Sequence, residues 1–300
     1  MPNTHNPFEE ASPEAHRHKG DTLLNEGHYE DAITEYDNAL SVNPNCAKTY
    51  NSRGIAKRTL GQYFEAIEDF DEAIDLDYNF AEAYYNRGIA KGMLEHPGDA
   101  IGDFDMAISC KEDYAEAYYN RGIANRKMGA RSEAISDFSE AIRLKSDYAE
   151  AYYSRGSAKR DAGEYFPAIS DFNKTIRLNS NYAEAYYSRG SAKGNLRHPK
   201  ESISDFNKAI ELKPDYVEAY YNRALAYQSL GELQKAISDF DKTINLKPDY
   251  ARAYYNRGIN QKALGNTKEA KADLEKALQL ANQQREILLA DQAENGLIDL

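Results

Sequence analysis

Apolar residues recur along this chain at the spacing of an amphipathic α-helix. The clearest example is the stripe formed by Ala100, Ile101, Phe104, Ala107 and Ile108. Residues at i, i+1, i+4, i+7 and i+8 share one face of a helix. The same stripe occurs at residues 66–74 and again at 134–142, and a segment rich in alanine and tyrosine precedes each one. The pattern predicts two alternating kinds of helix.

The alternation has a fixed period of 34 residues. A basic residue followed by glycine marks it, at Lys19-Gly20, Arg53-Gly54, Arg87-Gly88, Arg121-Gly122, Arg155-Gly156, Arg189-Gly190 and Arg257-Gly258, with Arg223-Ala224 in the remaining place. The period defines eight repeats without insertion or deletion. They span residues 13–46, 47–80, 81–114, 115–148, 149–182, 183–216, 217–250 and 251–284.

A turn separates the two helices of each repeat. Glycine occurs in these turns at Gly61, Gly129, Gly163, Gly231 and Gly265, and it suits a left-handed residue that ends the first helix. In two other repeats Pro97 and Pro199 follow a histidine, and proline is well suited to begin the second helix. Each repeat is therefore predicted to be an antiparallel helix pair, and the fold class is all-α.

The repeat resembles the tetratricopeptide repeat in its period, its glycine at position 8, its turn glycine and the apolar stripe of its second helix. It departs from that family's pattern at position 4, where tyrosines such as Tyr84 replace tryptophan. The resemblance covers residues 13–284. It implies an α-solenoid, a right-handed superhelix of stacked antiparallel helix pairs that serves as a protein-binding scaffold.

The two ends of the chain depart from the repeat. Residues 1–12 contain prolines without helical periodicity and are expected to be disordered. Residues 285–300 are expected to form a C-terminal capping helix and tail that covers the last repeat. Gly296 is expected to end that helix.

Charge and composition narrow the choice of partner. Acidic residues outnumber basic ones by 49 to 37, so the net charge of −12 argues against nucleic acid as a partner. No apolar stretch is long enough to cross a bilayer, and no secretory leader is visible, so no membrane contact is expected. Cys46 and Cys110 lie far apart, which favours a reducing compartment and a cytoplasmic location.

A basic residue on the first helix has an acidic companion 16 residues later in every repeat. Arg87 and Asp103 are one such pair, and in the first repeat both partners change together, to Lys19 and Glu35. We expect an ion pair inside each repeat. Because burying charges costs solvation energy, its main value is expected to be geometric.

Two further repeated patterns have structural explanations. Asn or Asp stands three residues before Glu82, Glu116, Glu150, Glu184 and Glu218, a spacing that suggests a capping box. Tyrosine ends five repeats and is expected to pack on the first helix of the following repeat. These residues are Tyr114, Tyr148, Tyr182, Tyr216 and Tyr250.

The first helices of such a stack are expected to form its concave surface. Positions 5, 6, 9 and 12 of each repeat then compose an inner wall, on which tyrosine offers contact area and asparagine offers hydrogen bonds to a peptide backbone. The candidate peptide-binding residues are Tyr85, Tyr119, Tyr153, Tyr187, Tyr221 and Tyr255; Asn86, Asn120, Ser154, Ser188, Asn222 and Asn256; Ile89 and Ile123; and Arg58, Arg126 and Arg160.

No constellation in the chain points to catalysis. We find no nucleophile–base set, no phosphate loop and no group of metal ligands, so no catalytic residue, metal or cofactor is expected. In this family the chaperone carboxylate clamp requires lysine at positions 5 and 2 of particular repeats. Here position 5 is mostly tyrosine and position 2 mostly glutamate, so we expect no clamp. The predicted function is a scaffold for a peptide or protein partner of unknown identity. The alternative is a structural homo-oligomer that assembles through the C-terminal helix and the stack ends, with weak self-association.

Overall fold

The computed structural model describes residues 12–300, and within that range it consists of seventeen α-helices and no strands. The odd-numbered helices are α1 (Pro13–Glu26), α3 (Ala47–Thr59), α5 (Ala81–Met93), α7 (Ala115–Lys127), α9 (Ala149–Asp161), α11 (Ala183–Asn195), α13 (Val217–Ser229), α15 (Ala251–Ala263) and α17 (Ile287–Ile298). The even-numbered helices are α2 (Tyr29–Val42), α4 (Tyr63–Leu76), α6 (Pro97–Cys110), α8 (Arg131–Leu144), α10 (Tyr165–Leu178), α12 (Pro199–Leu212), α14 (Leu233–Leu246) and α16 (Thr267–Gln284). Over this range no helix is both long and apolar enough to traverse a bilayer.

The turns inside the repeats have the predicted left-handed residue. Gly61 has φ of 80°, and the other four predicted turn glycines lie within a few degrees of it. Glu95 and Arg197 adopt the same conformation at φ of 61°, each just before a histidine and the proline that begins the second helix. The left-handed turn is therefore a property of the fold, and it persists where a side chain makes it less favourable.

The predicted capping boxes are wrong where the caps of the first helices are described. The residue that caps α5 is Phe80 and the one that caps α7 is Tyr114, and neither makes a side-chain cap. Asn79 lies one residue too early, and its backbone N–H instead donates to Asp77 Oδ1 at 3.1 Å. The polar residues in these linkers thus close Asx turns between helices. A side-chain cap is present on α1, where Ser12 accepts from the N–H of Ala15.

One aromatic residue lies between the two helices of most repeats. Phe104 is buried, and its ring lies 2.8 Å from where a Cβ on Gly88 would be. Ala90, Ala100 and Ala107 are completely buried, and Ala100 packs against Phe104. The same glycine–aromatic contact recurs at Gly20–Tyr36, Gly54–Phe70, Gly122–Phe138, Gly156–Phe172 and Gly190–Phe206.

The chain forms two compact halves, residues 12–151 and 152–300. In the first half, each helix from α1 to α8 packs against the next one along the chain. In the second half, the same holds from α10 to α17. Each half is thus a stack of antiparallel helix pairs, which confirms the predicted all-α solenoid. The predicted disorder of residues 1–12 lies outside the described residues, except at Ser12.

The C-terminal helix covers the last repeat. Arg285 ends α16 in the left-handed conformation, and α17 then packs on α16 and α15. Leu289 and Ala290 are buried against Ala281. Gly296 does not end the helix as predicted. It lies inside α17, and a Cβ added to it would lie 3.2 Å from the side chain of Leu274. The absence of a side chain therefore lets α17 pack closely against Leu274.

We expect the same substitution at two glycines of one helix pair to have opposite effects. Gly88→Ala places a methyl group in the ring of Phe104, and we expect it to lower the unfolding free energy by about 1–3 kcal/mol. Gly102→Ala on α6 meets nothing within 4 Å, and we expect it to raise stability by up to about 1 kcal/mol through helix propensity. Urea unfolding followed by circular dichroism measures both. Equal effects would contradict the packing argument.

Candidate functional site

The contacts between helices identify the inner side of each half. In the N-terminal half α1 contacts α3, α3 contacts α5, and α5 contacts α7. In the C-terminal half α11 contacts α13, and α15 contacts α17. Among residues 12–300 no comparable contact joins one second helix to the next. The first helices are therefore the more closely spaced set, and they form the inner wall within each half.

In the repeat 81–114, Arg87 is held by two carboxylates and an aromatic ring. Arg87 donates from Nη2 to Asp103 Oδ1 at 2.6 Å, which confirms the predicted pair within the repeat. Its Nη1 donates to Asp71 of the preceding repeat at 2.5 Å. The guanidinium also lies over the ring of Tyr84, at 5.4 Å from the centroid. Burial opposes the charge, but the bonds to Asp103 and Asp71 outweigh it and raise the pKa of Arg87.

This arrangement links neighbouring repeats, which the sequence pattern did not reveal. The intra-repeat pairs are Lys19–Glu35, Arg53–Asp69, Arg87–Asp103, Arg121–Asp137, Arg155–Asp171, Arg189–Asp205, Arg223–Asp239 and Arg257–Asp273. The bonds to the preceding repeat are Arg53–Asp37, Arg87–Asp71, Arg121–Asp105, Arg189–Asn173, Arg223–Asn207 and Arg257–Asp241. The repeated Asp or Asn at position 25 was the available signal.

The tyrosines at position 5 form an aromatic layer over the core. The ring of Tyr85 lies 6.0 Å from that of Phe104 and 4.8 Å from that of Tyr114, measured between centroids. Tyr114 ends the same repeat, so this ring contact joins it to the first helix of its own repeat. Tyr114 also packs against the core cluster that includes Ala117 on the first helix of the following repeat, in line with the expectation. Tyr153 makes the equivalent contacts with Phe172 and Tyr182.

Asparagines at position 6 bridge consecutive first helices. Asn120 Nδ2 donates to the hydroxyl of Tyr85 at 3.0 Å, one repeat earlier. In the C-terminal half Asn222 donates to Tyr187 at 2.9 Å and Asn256 donates to Tyr221 at 3.1 Å. The tyrosines and asparagines that were predicted to contact a ligand are therefore bonded to each other.

Three predicted wall residues are almost inaccessible. Asn86 is 7% exposed and donates to Asn51, and Ser188 is 1% exposed and accepts a bond from Arg160 at 3.3 Å. Ser154 is also buried. These side chains hold first helices together, so the accessible part of the candidate site is carried by the tyrosines and by Asn120, Asn222 and Asn256.

Three wall tyrosines, Tyr85, Tyr187 and Tyr221, keep their protons at neutral pH. Burial is the main cause, and it raises the pKa of Tyr85 and Tyr187 above the usual value and that of Tyr221 to about 12. Each phenol accepts a bond from asparagine, so its own O–H remains to donate. The wall can therefore offer neutral donors to the carbonyl groups of a bound chain.

The remaining predicted residues divide by exposure. Ile89 and Ile123 are half-buried in the N-terminal half, as are Tyr119 there and Tyr255 in the C-terminal half. Arg126 is exposed, whereas Arg58 and Arg160 are half-buried beside wall residues of the next repeat. The three arginines at position 12 are thus not equivalent.

A cavity of about 570 Å³ opens in the C-terminal half, where the wall residues are small. Ser191 and Gly194 on α11 and Ser202 on α12 leave this space, and Phe206 and Leu225 line it. The sequence signal was this local drop in side-chain size, which periodicity alone does not detect.

Comparisons with known families match most of these repeats. Models of the tetratricopeptide repeat match residues 115–148, 217–250 and 251–284, and a model described as TPR repeat matches 20–60, 56–94 and 200–231. A search of curated proteins finds no match.

Solved structures show the same helix pairs. The chain is 32% identical to MamA over 55% of its own length and 96% of that chain, with a TM-score of 0.53. It is 26% identical to YrrB, described as a TPR protein with an unusual peptide-binding site, over 64% of this chain and 97% of that one, with a TM-score of 0.54. A TPR protein from Cytophaga hutchinsonii shares the fold at 21% identity and a TM-score of 0.65, over 81% and 98% of the two chains.

We expect the bridging arginine to be much more important for stability than an exposed one. Arg87→Gln leaves the buried carboxylate of Asp103 with Lys91 as its remaining cation, and we expect a loss of about 2–3 kcal/mol. Arg143→Gln removes the same charge from an exposed pair with Glu140 and should leave the urea midpoint unchanged. Equal midpoints for the two variants would show that the buried network contributes nothing to stability.

Proposed function

The chain belongs to the tetratricopeptide repeat family, and from that premise we propose that it is a non-catalytic scaffold. Its ligand would be an extended peptide or a segment of a partner protein, bound along the inner wall of its first helices. In each half the first helices of the repeats, with the boundaries given above, supply such a wall, and α17 completes the wall of the C-terminal half. No nucleic acid, membrane or cofactor is part of this proposal.

The observation that carries the proposal is the bonded array of tyrosine and asparagine. A ligand site requires polar groups at fixed positions, because ordering them on binding costs entropy. Here Asn120 holds the Tyr85 hydroxyl, and Asn222 holds that of Tyr187. Each pair presents a phenol donor beside an amide oxygen on a broad aromatic surface. That combination suits a peptide backbone with side chains resting between the rings.

Two further observations support a binding role. YrrB, 26% identical to this chain, is described as having a peptide-binding site, so related repeats can serve that purpose. The repeated ionisable pairs are occupied by the scaffold itself, as Arg87 shows with Asp71 and Asp103. A side chain fixed in a double ion pair is poorly suited to exchange protons with a substrate.

The compartment is also part of the proposal. Both Cys46 and Cys110 are free thiols. Free thiols are typical of proteins in a reducing environment, so we place the scaffold in the cytoplasm.

Obstructing the inner wall should abolish partner binding without unfolding the protein. We would place arginines on the wall in both halves with Asn120→Arg and Asn222→Arg, and compare partners captured from native lysate by mass spectrometry. The matched control carries Ser136→Arg and Ser204→Arg, exposed positions on the second helices α8 and α12. We expect the wall variant to lose partners that the control retains, by at least about tenfold in recovered signal, an energetic difference of roughly 1.4 kcal/mol.

Equal helicity of the two variants by circular dichroism is the condition for that comparison. Partners that bind both variants equally would argue against the inner wall, and attention would then move to the second helices or to self-assembly.

Self-association remains the second candidate because α17 exposes apolar side chains. Ile287 and Leu288 are 75% and 73% exposed and border a cavity of about 500 Å³ beside the wall residues Tyr255 and Asn256. Sedimentation velocity at concentrations from about 1 to 100 μM tests this, since a small apolar contact gives at most a weak dimer. If the second candidate holds, the mass rises with concentration, and Leu288→Lys returns it to that of the monomer. A constant mass would exclude this candidate.

A further inference from the structure

We propose that Arg58 is the anion-binding subsite of the inner wall and takes the carboxylate of an aspartate or glutamate side chain in the bound peptide. The inference rests on the proposed function and specifies the chemistry of its ligand. Arg58 occupies position 12 of α3, in the N-terminal half.

The first observation is that Arg58 has no acidic partner. Acids exceed bases in this chain, and the arginine at position 7 of the same helix, Arg53, bonds two of them, Asp37 and Asp69. Throughout residues 12–300, no carboxylate oxygen lies within 4.0 Å of the Arg58 guanidinium. Its Nε is buried and makes no hydrogen bond within the described chain. An unpaired, partly desolvated cation is costly, so such a group is a candidate for binding an anion.

The second observation is the setting of that guanidinium on the wall. Its electrostatic neighbours are the hydroxyl groups of Tyr85 and Tyr63, and burial lowers the pKa of Arg58. Tyr85 is the wall residue that Asn120 bridges. A carboxylate bound by Arg58 would therefore lie beside the phenol donor of Tyr85. The planar fork of arginine matches a carboxylate in a bidentate geometry, which a point charge does not.

The third observation is an internal comparison 102 residues further along the chain. Arg160 occupies the equivalent position in the C-terminal half, and the wall tyrosine beside it is Tyr187. Arg160 Nη2 lies 3.0 Å from Asp161 Oδ1, the carboxylate of the next residue. The residue that follows Arg58 is Thr59, whose hydroxyl bonds the Ile55 carbonyl. The C-terminal half thus shows an acid capturing this arginine, and the N-terminal half lacks that acid.

The chemistry implies selectivity. The chain has a net charge of −12, so an acidic peptide is repelled at long range. A single carboxylate that reaches Arg58 gains a charge-assisted bond in a partly water-excluded position, where such bonds are strong. We therefore expect a preferred ligand with one acidic residue among neutral ones and not an acidic run.

The test is selection of a phage-displayed library of random heptapeptides on the immobilised full chain. The heptapeptides are fused at their C-terminus, so only side chains supply carboxylates. We compare Arg58→Gln with Arg143→Gln, which removes an exposed outer arginine. Thr59→Asp copies the Arg160–Asp161 pair and leaves Arg58 in place, and Thr59→Asn is its neutral match.

We expect the peptides selected on the natural chain to carry Asp or Glu at one position. Their binding should fall at least about tenfold on Arg58→Gln and on Thr59→Asp, with little change on Arg143→Gln and Thr59→Asn. Peptides that lose binding on the Asn120→Arg wall variant, yet show no acidic position and bind all four variants equally, would overturn the subsite and leave the proposed function intact. A selection without any wall-dependent peptide would overturn both.

Discussion

The close approach of two helices at a glycine, or at alanine in the repeat 217–250, is the constraint on which the other features of each repeat depend. Gly88 has no Cβ, so the ring of Phe104 lies directly against the backbone of α5. That separation places Arg87, the preceding residue, within reach of Asp103 on the second helix. It also places the ring of Tyr85 over Phe104, 6.0 Å away. In the repeat 217–250 Ala224 stands at this position, and the Arg223–Asp239 pair and the Tyr221–Phe240 contact are kept. We therefore expect a side chain larger than alanine to push the helices apart and disturb both features together.

The arginine at position 7 then connects one repeat to the preceding one. The guanidinium of Arg87 on α5 bonds Asp103 on α6 and Asp71 on α4. One first helix is therefore bonded to the second helices of two neighbouring repeats. Replacing a buried ion pair with apolar residues is often neutral for stability, so the network is better explained by the geometry that it enforces. Repeat proteins depend on such nearest-neighbour contacts, since no long-range core holds the stack. A defined angle between neighbours is what positions the wall residues for a ligand.

The inner wall combines rigidity with a half-buried arginine, Arg58, that has no acidic partner in the described part of the chain. Tyrosine and asparagine are bonded across repeats, so the surface is ordered before any ligand arrives. Most cations of the chain are occupied by carboxylates, whereas Arg58 is not among the paired residues in the described part of the chain. Its counterpart Arg160 bonds the exposed neighbour Asp161 and also Ser188. Specificity in such a scaffold can therefore change by substitutions beside one wall arginine, without altering the core that the repeats share.

The sequence by itself determined the helix pairs, the turn glycines and the ion pair within each repeat. These features depend on residues close in sequence and repeated at a fixed period, so the pattern reports them directly. The tertiary structure decided what depends on distances between repeats. It showed Arg87 reaching back to Asp71, and Asn86 and Ser188 buried where wall exposure was expected. It placed Gly296 inside a helix, because contact with Leu274 outweighs the low helix propensity of glycine. Periodicity reports which face a residue occupies, but not how far the neighbouring face lies from it.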